Sequence, residues 1–106
     1  MSEQLAQLEK KGGGGSAPLL HFDLNTPAYY NQNLKMEFNN IGWKTATLQS
    51  NLTSNNYHYV LYGDGVKILE TATSGVSVSC DVSSYQTLNL TNNNNGNTLY
   101  GWFELS

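Results

Sequence analysis

The sequence predicts an all-β domain built as an antiparallel sandwich. Several short segments alternate apolar with polar residues, which is the two-residue period of a strand with one buried face. Turn-forming runs rich in Asn, Gly, Ser and Thr separate these segments at spacings of about ten residues. Charged residues make up only 12% of the 106 residues. Regular short strands punctuated in this way indicate a β-sandwich or a jelly roll.

The first 16 residues differ from this pattern. MSEQLAQLEKK (1–11) consists of helix-forming residues, but isolated helices shorter than roughly 12–15 residues are marginal in water. GGGGS (12–16) is a flexible spacer of the kind used in engineered fusions. We therefore expect 1–16 to be a helical tag or coiled-coil stub with a linker, followed by a β-sandwich domain over 17–106. An alternative is that the helix docks on the domain or joins copies into a homo-oligomer.

Eight segments of the domain are predicted as strands. The alternation is clearest in LKMEF, VSVSCDV, LNL and LYGWFEL. The turn signals between strands are NNIG, NLTSNN, GDG, TSG and NNNNGN. In chain order, the predicted strands cover 19–24, 33–39, 43–50, 56–62, 66–72, 75–82, 86–91 and 98–105.

The segment YHYVLYGDGVKILE predicts a hairpin. Asp64 and Gly65 supply the positive φ that a type I′ turn or a G1 bulge requires, and Gly63 relieves crowding beside them. Asp64 could instead be a calcium ligand, but no carboxylates surround it at alternating positions. We therefore expect no metal site and no cofactor, with bound calcium as the lesser alternative.

Composition argues against several classes of partner. The formal net charge is −3, so the chain has no basic field to hold nucleic acid or an anionic membrane. No apolar run approaches the roughly 18 residues of a membrane span, so we expect no membrane insertion. The single cysteine, Cys80, cannot form an internal disulfide, and we expect it to act as a small buried apolar residue.

The sequence also argues against catalysis. Hydrolysis of a glycoside ordinarily needs two carboxylates held at a defined separation, and the acidic residues of 17–106 show no paired spacing. Nucleophile elbows, phosphate loops and histidine-rich metal motifs are missing from the sequence. We therefore expect a protein that is not an enzyme.

Residues 36–105 resemble the later part of the galactose-binding-like, discoidin-type β-sandwiches, and most closely the novel putative carbohydrate-binding module (NPCBM) pattern. The resemblance lies in the order and spacing of five short motifs. These are WKT at 43–45, YGDGVKIL at 62–69, SCDV at 79–82, LNL at 88–90 and the closing strand LYGWFEL at 99–105. The family's early Gly-rich, His-bearing segment has no counterpart in HFDLNTPAYYNQN. The resemblance implies a galactose-binding-like jelly roll with a sugar ligand.

A glycan presents hydroxyl groups and weakly apolar C–H faces, so its site needs an exposed ring beside amide or carboxylate groups. On the closing strand, Tyr100, Trp102 and Glu104 share the face opposite the core-directed residues. The alternative for Trp102 is packing beneath a neighbouring loop. Trp43 fits a core position better than a sugar platform.

Further candidates lie on another strand and on a loop. Tyr57 and Tyr59 share one face of YHYVLY, and each fits the core as well as the surface. Tyr29 and Tyr30 are adjacent in the loop PAYYNQN, where binding residues commonly occur, although one of the rings could instead tuck into the core.

From these residues we expect a non-catalytic carbohydrate-binding module that recognises a cell-surface or cell-wall glycan. Such a module fits an extracellular setting: a bacterial surface protein, or a phage tail or receptor-binding protein on the virion surface. The alternative is a structural or oligomerisation sandwich of a fibre, baseplate or adhesin. Its exposed aromatic residues would then form contacts between proteins, because aromatic residues are enriched at interfaces.

Overall fold

A computed structural model describes residues 17–26, 34–51, 57–94 and 99–106. Their eight strands form two four-stranded antiparallel sheets. The strands are β1 (Leu20–Thr26), β2 (Lys35–Asn39), β3 (Thr45–Ser50), β4 (Tyr57–Gly63), β5 (Val66–Glu70), β6 (Val78–Asp81), β7 (Thr87–Asn94) and β8 (Leu99–Leu105). The predicted all-β class, the two-sheet arrangement and the eight strands are confirmed, with ends that differ by a few residues.

Consecutive strands of the chain lie in different sheets, except for β4 and β5, which are neighbours in the second sheet. The first sheet has the strand order β1-β8-β3-β6 and the second has the order β2-β7-β4-β5. The last strand, β8, pairs with β1 on one side and with β3 on the other. Residue Leu20 at the start of β1 therefore lies beside Leu105 at the end of β8.

The core lies between the sheets and follows the alternation predicted from the sequence. On β8, Phe103 and Leu105 are fully buried, and Leu48 of β3 and Phe22 of β1 pair with Phe103 from either side. Trp43 is buried, its indole N–H donates to the Pro18 carbonyl at 2.7 Å, and its expected core position is confirmed. The buried apolar residues are Leu24, Trp43, Ala46, Leu48, Tyr59, Val60, Leu61, Val82, Leu88, Leu90, Leu99, Phe103 and Leu105.

Asn40 joins two loops at one end of the sandwich. Its side-chain amide donates to the carbonyl oxygens of Trp43, Val82 and Tyr85 at 3.0–3.1 Å. Its side-chain oxygen accepts from the backbone N–H groups of Gly42 and Trp43, at 3.0 and 2.7 Å. One side chain thus bonds to backbone groups of both the β2–β3 loop and the β6–β7 loop in this half-buried region.

The β4–β5 hairpin has the turn predicted from its sequence. Asp64 and Gly65 both have positive φ, 49° and 85°. The Asp64 carboxylate accepts from the backbone N–H groups of Gln86 and Thr87, with a closest distance of 2.9 Å to Thr87. The side chain considered as a calcium ligand therefore ties the hairpin to the start of β7.

Gly63 precedes that turn and allows close packing. A Cβ at this position would lie 2.7 Å from the ring of Tyr85 and 2.9 Å from the side chain of Ile68. The sequence predicted that Gly63 relieves crowding beside the turn. In the structure, the crowding group is the ring of Tyr85.

The predicted N-terminal helix falls within residues 1–16, outside the described part of the chain. The described ranges contain no helix long and apolar enough to cross a membrane.

Replacement of Asn40 by Ala is expected to lower the free energy of unfolding by roughly 2–4 kcal/mol, because several half-buried backbone groups lose their partner. Asn40→Asp should cost more than Asn40→Ala, because it sets a negative charge against three carbonyl oxygens. Urea denaturation monitored by circular dichroism measures both effects.

The matched control for Asn40 is its neighbour. Asn39 is exposed on β2, so Asn39→Ala should change stability by no more than about 0.5 kcal/mol. Equal losses for Asn39→Ala and Asn40→Ala would contradict the role assigned to Asn40.

Candidate functional site

The outer face of the first sheet carries a group of polar and aromatic residues that point away from the core. On β8 these are Tyr100, Trp102 and Glu104, and β1 and β3 lie on either side. Strand register fixes the neighbours because paired residues share a face. The resulting cross-strand rows are Asn25–Tyr100, Asp23–Trp102–Gln49 and His21–Glu104–Thr47. We call these eight residues the outer face of the first sheet, or simply the outer face where no other sheet is named.

His21 is the centre of a polar cluster on this face. Its Nδ1 lies 3.1 Å from Glu104 Oε2, and its Nε2 lies 3.1 Å from Asp23 Oδ1. Its ring stacks on Trp102 with the two centroids 5.6 Å apart and the planes at 27°. Three side chains from two strands therefore fix the orientation of the imidazole, and the imidazole in turn packs against the indole.

The two carboxylates favour the protonated imidazole. A neutral imidazole has one N–H group, whereas both ring nitrogens of His21 face a carboxylate oxygen. The hydrogen bond that the His21 ring donates to Asp23, followed by the one it donates to Glu104, raises the pKa of His21 above its ordinary value. When protonated, the imidazole places a cation on the face of Trp102, an arrangement that the aromatic quadrupole favours.

Tyr100 is the most exposed ring of the outer face. Its relative exposure is 49%, whereas Trp102 is half-buried. The backbone of Tyr100 is held by Asn51: its N–H donates to the Asn51 side-chain oxygen at 2.8 Å, and its carbonyl accepts from the Asn51 N–H at 3.0 Å. The ring is thus presented to solvent from a fixed backbone.

The approach of β3 to β8 beside this ring depends on Gly101. A Cβ on Gly101 would lie 1.8 Å from the Gln49 carbonyl oxygen, which is far inside contact distance. Glycine is therefore required at position 101, between Tyr100 and Trp102, where β8 runs beside β3.

The structure brings Tyr100, Trp102 and Glu104 together as predicted from alternation. Tyr59 lies elsewhere: it is fully buried, and its hydroxyl donates to the Leu99 carbonyl at 2.9 Å, which is the core alternative. Tyr57 is the first residue of β4, and its side chain lies outside the described part. The predicted loop residues Tyr29 and Tyr30 also lie outside the described residues.

Sequence reasoning did not identify His21, Asp23, Asn25 or Gln49 as neighbours of the aromatic residues. The alternation in LHFDLN does place His21, Asp23 and Asn25 on one face of β1. What the sequence lacks is the register that sets β1 beside β8, since these strands are far apart along the chain.

The outer face of the second sheet provides a contrast. There Glu70 is paired with Lys67 at 3.0 Å and with His58 at 3.2 Å, and the hydrogen bond from Lys67 is the main reason that the pKa of Glu70 is lowered. Tyr62 lies half-buried on this face. On this face Glu70 thus binds Lys67 and His58, whereas on the first sheet one imidazole binds two carboxylates.

Among the described residues, no group of three or more His, Cys, Asp or Glu side chains is arranged to hold a metal ion. Cys80 is a half-buried free thiol that faces the interior, and burial raises its pKa. Comparison with protein-family models and with curated protein sequences gives no match for this chain.

The pKa of His21, followed by NMR of its ring protons, is expected to lie above 6.5 and to fall toward 6.5 in Asp23→Asn and Glu104→Gln. Because the folded-state pKa is raised, protonation stabilises the fold fully below the unfolded-state value near 6.5. That contribution is lost as the pH rises through the folded-state pKa.

Glu37→Gln is the control for this titration, since Glu37 is an exposed carboxylate on the second sheet. It should leave the His21 titration unchanged. A His21 midpoint at or below 6.5 in the wild-type chain would exclude the two-carboxylate arrangement in solution.

Proposed function

We propose that this protein is a non-catalytic carbohydrate-binding module whose glycan contacts the outer face of the first sheet. The observation that carries the proposal is the half-exposed Tyr100 ring next to Trp102, with Asn25, Asp23 and Gln49 on the flanking strands. Each ring has an amide or a carboxylate directly across from it.

The chemistry of this face suits a sugar. An exposed aromatic ring offers a surface for the C–H face of a pyranose, and amide groups both donate and accept hydrogen bonds to hydroxyl groups. Asn25 and Asp23 are exposed on β1, so their polar groups are accessible beside Tyr100 and Trp102. The combination of one apolar plane and a few polar groups is typical of small-molecule sites.

Fixed geometry also favours binding. His21 holds Trp102 through the ring stack, and Asn51 holds the backbone of Tyr100. A ring held in place loses little conformational freedom when a ligand contacts it, so less of the interaction energy is consumed by ordering.

The same geometry supports binding without catalysis. Asp23 and Glu104 are the two carboxylates of the outer face, and each contacts a different ring nitrogen of His21. The imidazole thus occupies the space between them, where a glycosidase would place the scissile bond.

The proposal extends to a jelly-roll topology related to the galactose-binding-like, NPCBM-type sandwiches. Two four-stranded sheets with the orders β1-β8-β3-β6 and β2-β7-β4-β5 support it, since a jelly roll is an eight-stranded double sheet built from two Greek keys. Lectin and viral capsid domains use this architecture, which agrees with a setting on a bacterial or virion surface.

Binding is tested by screening the full chain against an array of cell-wall, capsular and host-type glycans, followed by calorimetry on any hit. Tyr100→Ala is expected to weaken the affinity about tenfold, equivalent to about 1.4 kcal/mol, because the exposed ring is lost. The indole N–H signal of Trp102 should shift on addition of the glycan.

Tyr62→Ala is the matched control, a tyrosine on the outer face of the second sheet. It should leave affinity unchanged. Lack of binding across the array, or equal losses in Tyr62→Ala and Tyr100→Ala, would refute the site. The same assay on Tyr29→Ala and Tyr30→Ala tests the contribution expected from the sequence.

A further inference from the structure

Among the strands that the structure describes, β1 is the longest edge strand. The first sheet ends in β1 and β6, and the second ends in β2 and β5. β1 has seven residues, whereas β2 and β5 have five each and β6 has four. An edge strand presents a row of backbone N–H and C=O groups that have no partner within their own sheet, and a longer edge offers more of them.

The other edges carry lysines, an irregular register or a short length, which discourage pairing with another strand, and β1 has none of these three features. β2 begins with Lys35, and β5 bears Lys67 and pairs with β4 through an irregular register. β6 is short. Lysines, irregularities and short length are the usual protections of an edge. The sequence of β1, LHFDLNT, contains neither Lys nor Pro, and its pairing with β8 is continuous over all seven residues.

The apolar face of β1 is also incompletely covered. Leu20 and Phe22 point into the sandwich, where their partners Leu105 and Phe103 are fully buried, yet Leu20 and Phe22 are only partly buried. The difference follows from position, since none of the described strands lies beyond β1 in its sheet. A further strand added at this edge would cover both side chains.

We propose that a second copy of this chain pairs with the free edge of β1, antiparallel and about a twofold axis centred on Phe22. In that register Leu20 lies opposite Leu24 of the second copy, and His21 lies opposite its Asp23. Apolar residues then meet apolar residues on the inner face, and a base meets an acid twice on the outer face. Cross-strand pairs of opposite charge stabilise sheets, whereas like charges destabilise them.

The neighbouring registers are less favourable. Centring the axis on Asp23 sets the two Asp23 carboxylates directly opposite each other, and centring it on His21 does the same with two imidazoles. A shift by one residue places the apolar face of one β1 against the polar face of the other. The sequence of β1 is therefore self-complementary in one register, as a twofold interface requires.

The pairing joins the first sheet of one copy to the first sheet of the other. The result is one sheet of eight strands, with the outer faces of both copies on the same side. It is independent of the glycan proposal, and it differs from association through an N-terminal helix, which residues 1–16 would provide. If the glycan proposal also holds, two copies of the site share one surface, and multivalent glycans gain avidity.

Mixed disulfide formation tests the register in the full chain with Cys80→Ala as background. One chain carries His21→Cys and the other carries Asp23→Cys. Directly paired residues lie roughly 4.5–5.5 Å apart between Cα atoms, within disulfide range, whereas the 21–21 and 23–23 pairs are diagonal at roughly 7–8 Å. Under mild oxidation the mixture should form a covalent dimer much faster than either chain alone.

A charge reversal gives a second test that needs no cysteine. Asp23→Lys places a cation opposite His21 and should shift the wild-type dimer to monomer in light scattering over a concentration series. Asp81→Lys is the matched control, with the same change of charge on the outer face of β6, the opposite edge of the same sheet. It should leave the dimer intact.

The inference is overturned if the wild-type chain is monomeric at every concentration in light scattering. It is also overturned if either cysteine chain alone forms the disulfide faster than the mixture does, or if Asp23→Lys and Asp81→Lys dissociate equally. Because none of these measurements involves a sugar, the dimer and the glycan proposal fail separately.

Discussion

The insertion of β8 between β1 and β3 is the constraint on which the sandwich depends. Of the described strands, only β8 pairs with β1, and β3 would keep the short β6 alone if β8 were missing. β8 also supplies Phe103 and Leu105, which are fully buried and lie opposite inward residues of both flanking strands. The first sheet is therefore complete only when β1 and β8, far apart along the chain, come together, and closing that long loop carries an entropic cost.

Inward and outward residues alternate along β8, and the two sets have different roles. The inward residues pack in the core, so the outward residues are not needed for core packing and can be Tyr100, Trp102 and Glu104. The outward side chains are nevertheless ordered, because His21 on β1 links Trp102 to Glu104 and Asp23. A polar network of this kind orients an aromatic ring without burying it, which is what a shallow recognition surface requires.

The fold was predictable because its signals are local. Period-two alternation and the Asp64-Gly65 turn depend on adjacent residues, and both appear in the structure. The site was only partly predictable, since Trp102 was placed by alternation but its neighbour His21 depends on a register between strands about 80 residues apart. Tyr59 shows a second limit: its alternation suits either face, and the choice depends on the sheet that covers it, which packs its ring in the core.

The antiparallel pairing of β1 with β8 has a mechanical consequence. The start of β1 lies beside the end of β8, so the chain enters and leaves this pair at one end of the sandwich. The hydrogen bonds of an antiparallel pair run perpendicular to its strands. A pulling force applied between residues 17 and 106 would first load the hydrogen bonds of Pro18 and Ser106, then the Leu20–Leu105 pair, and would then break the bonds between β1 and β8 one after another. The domain is thus built to unzip under tension applied through its ends, rather than to resist by shearing many bonds at once.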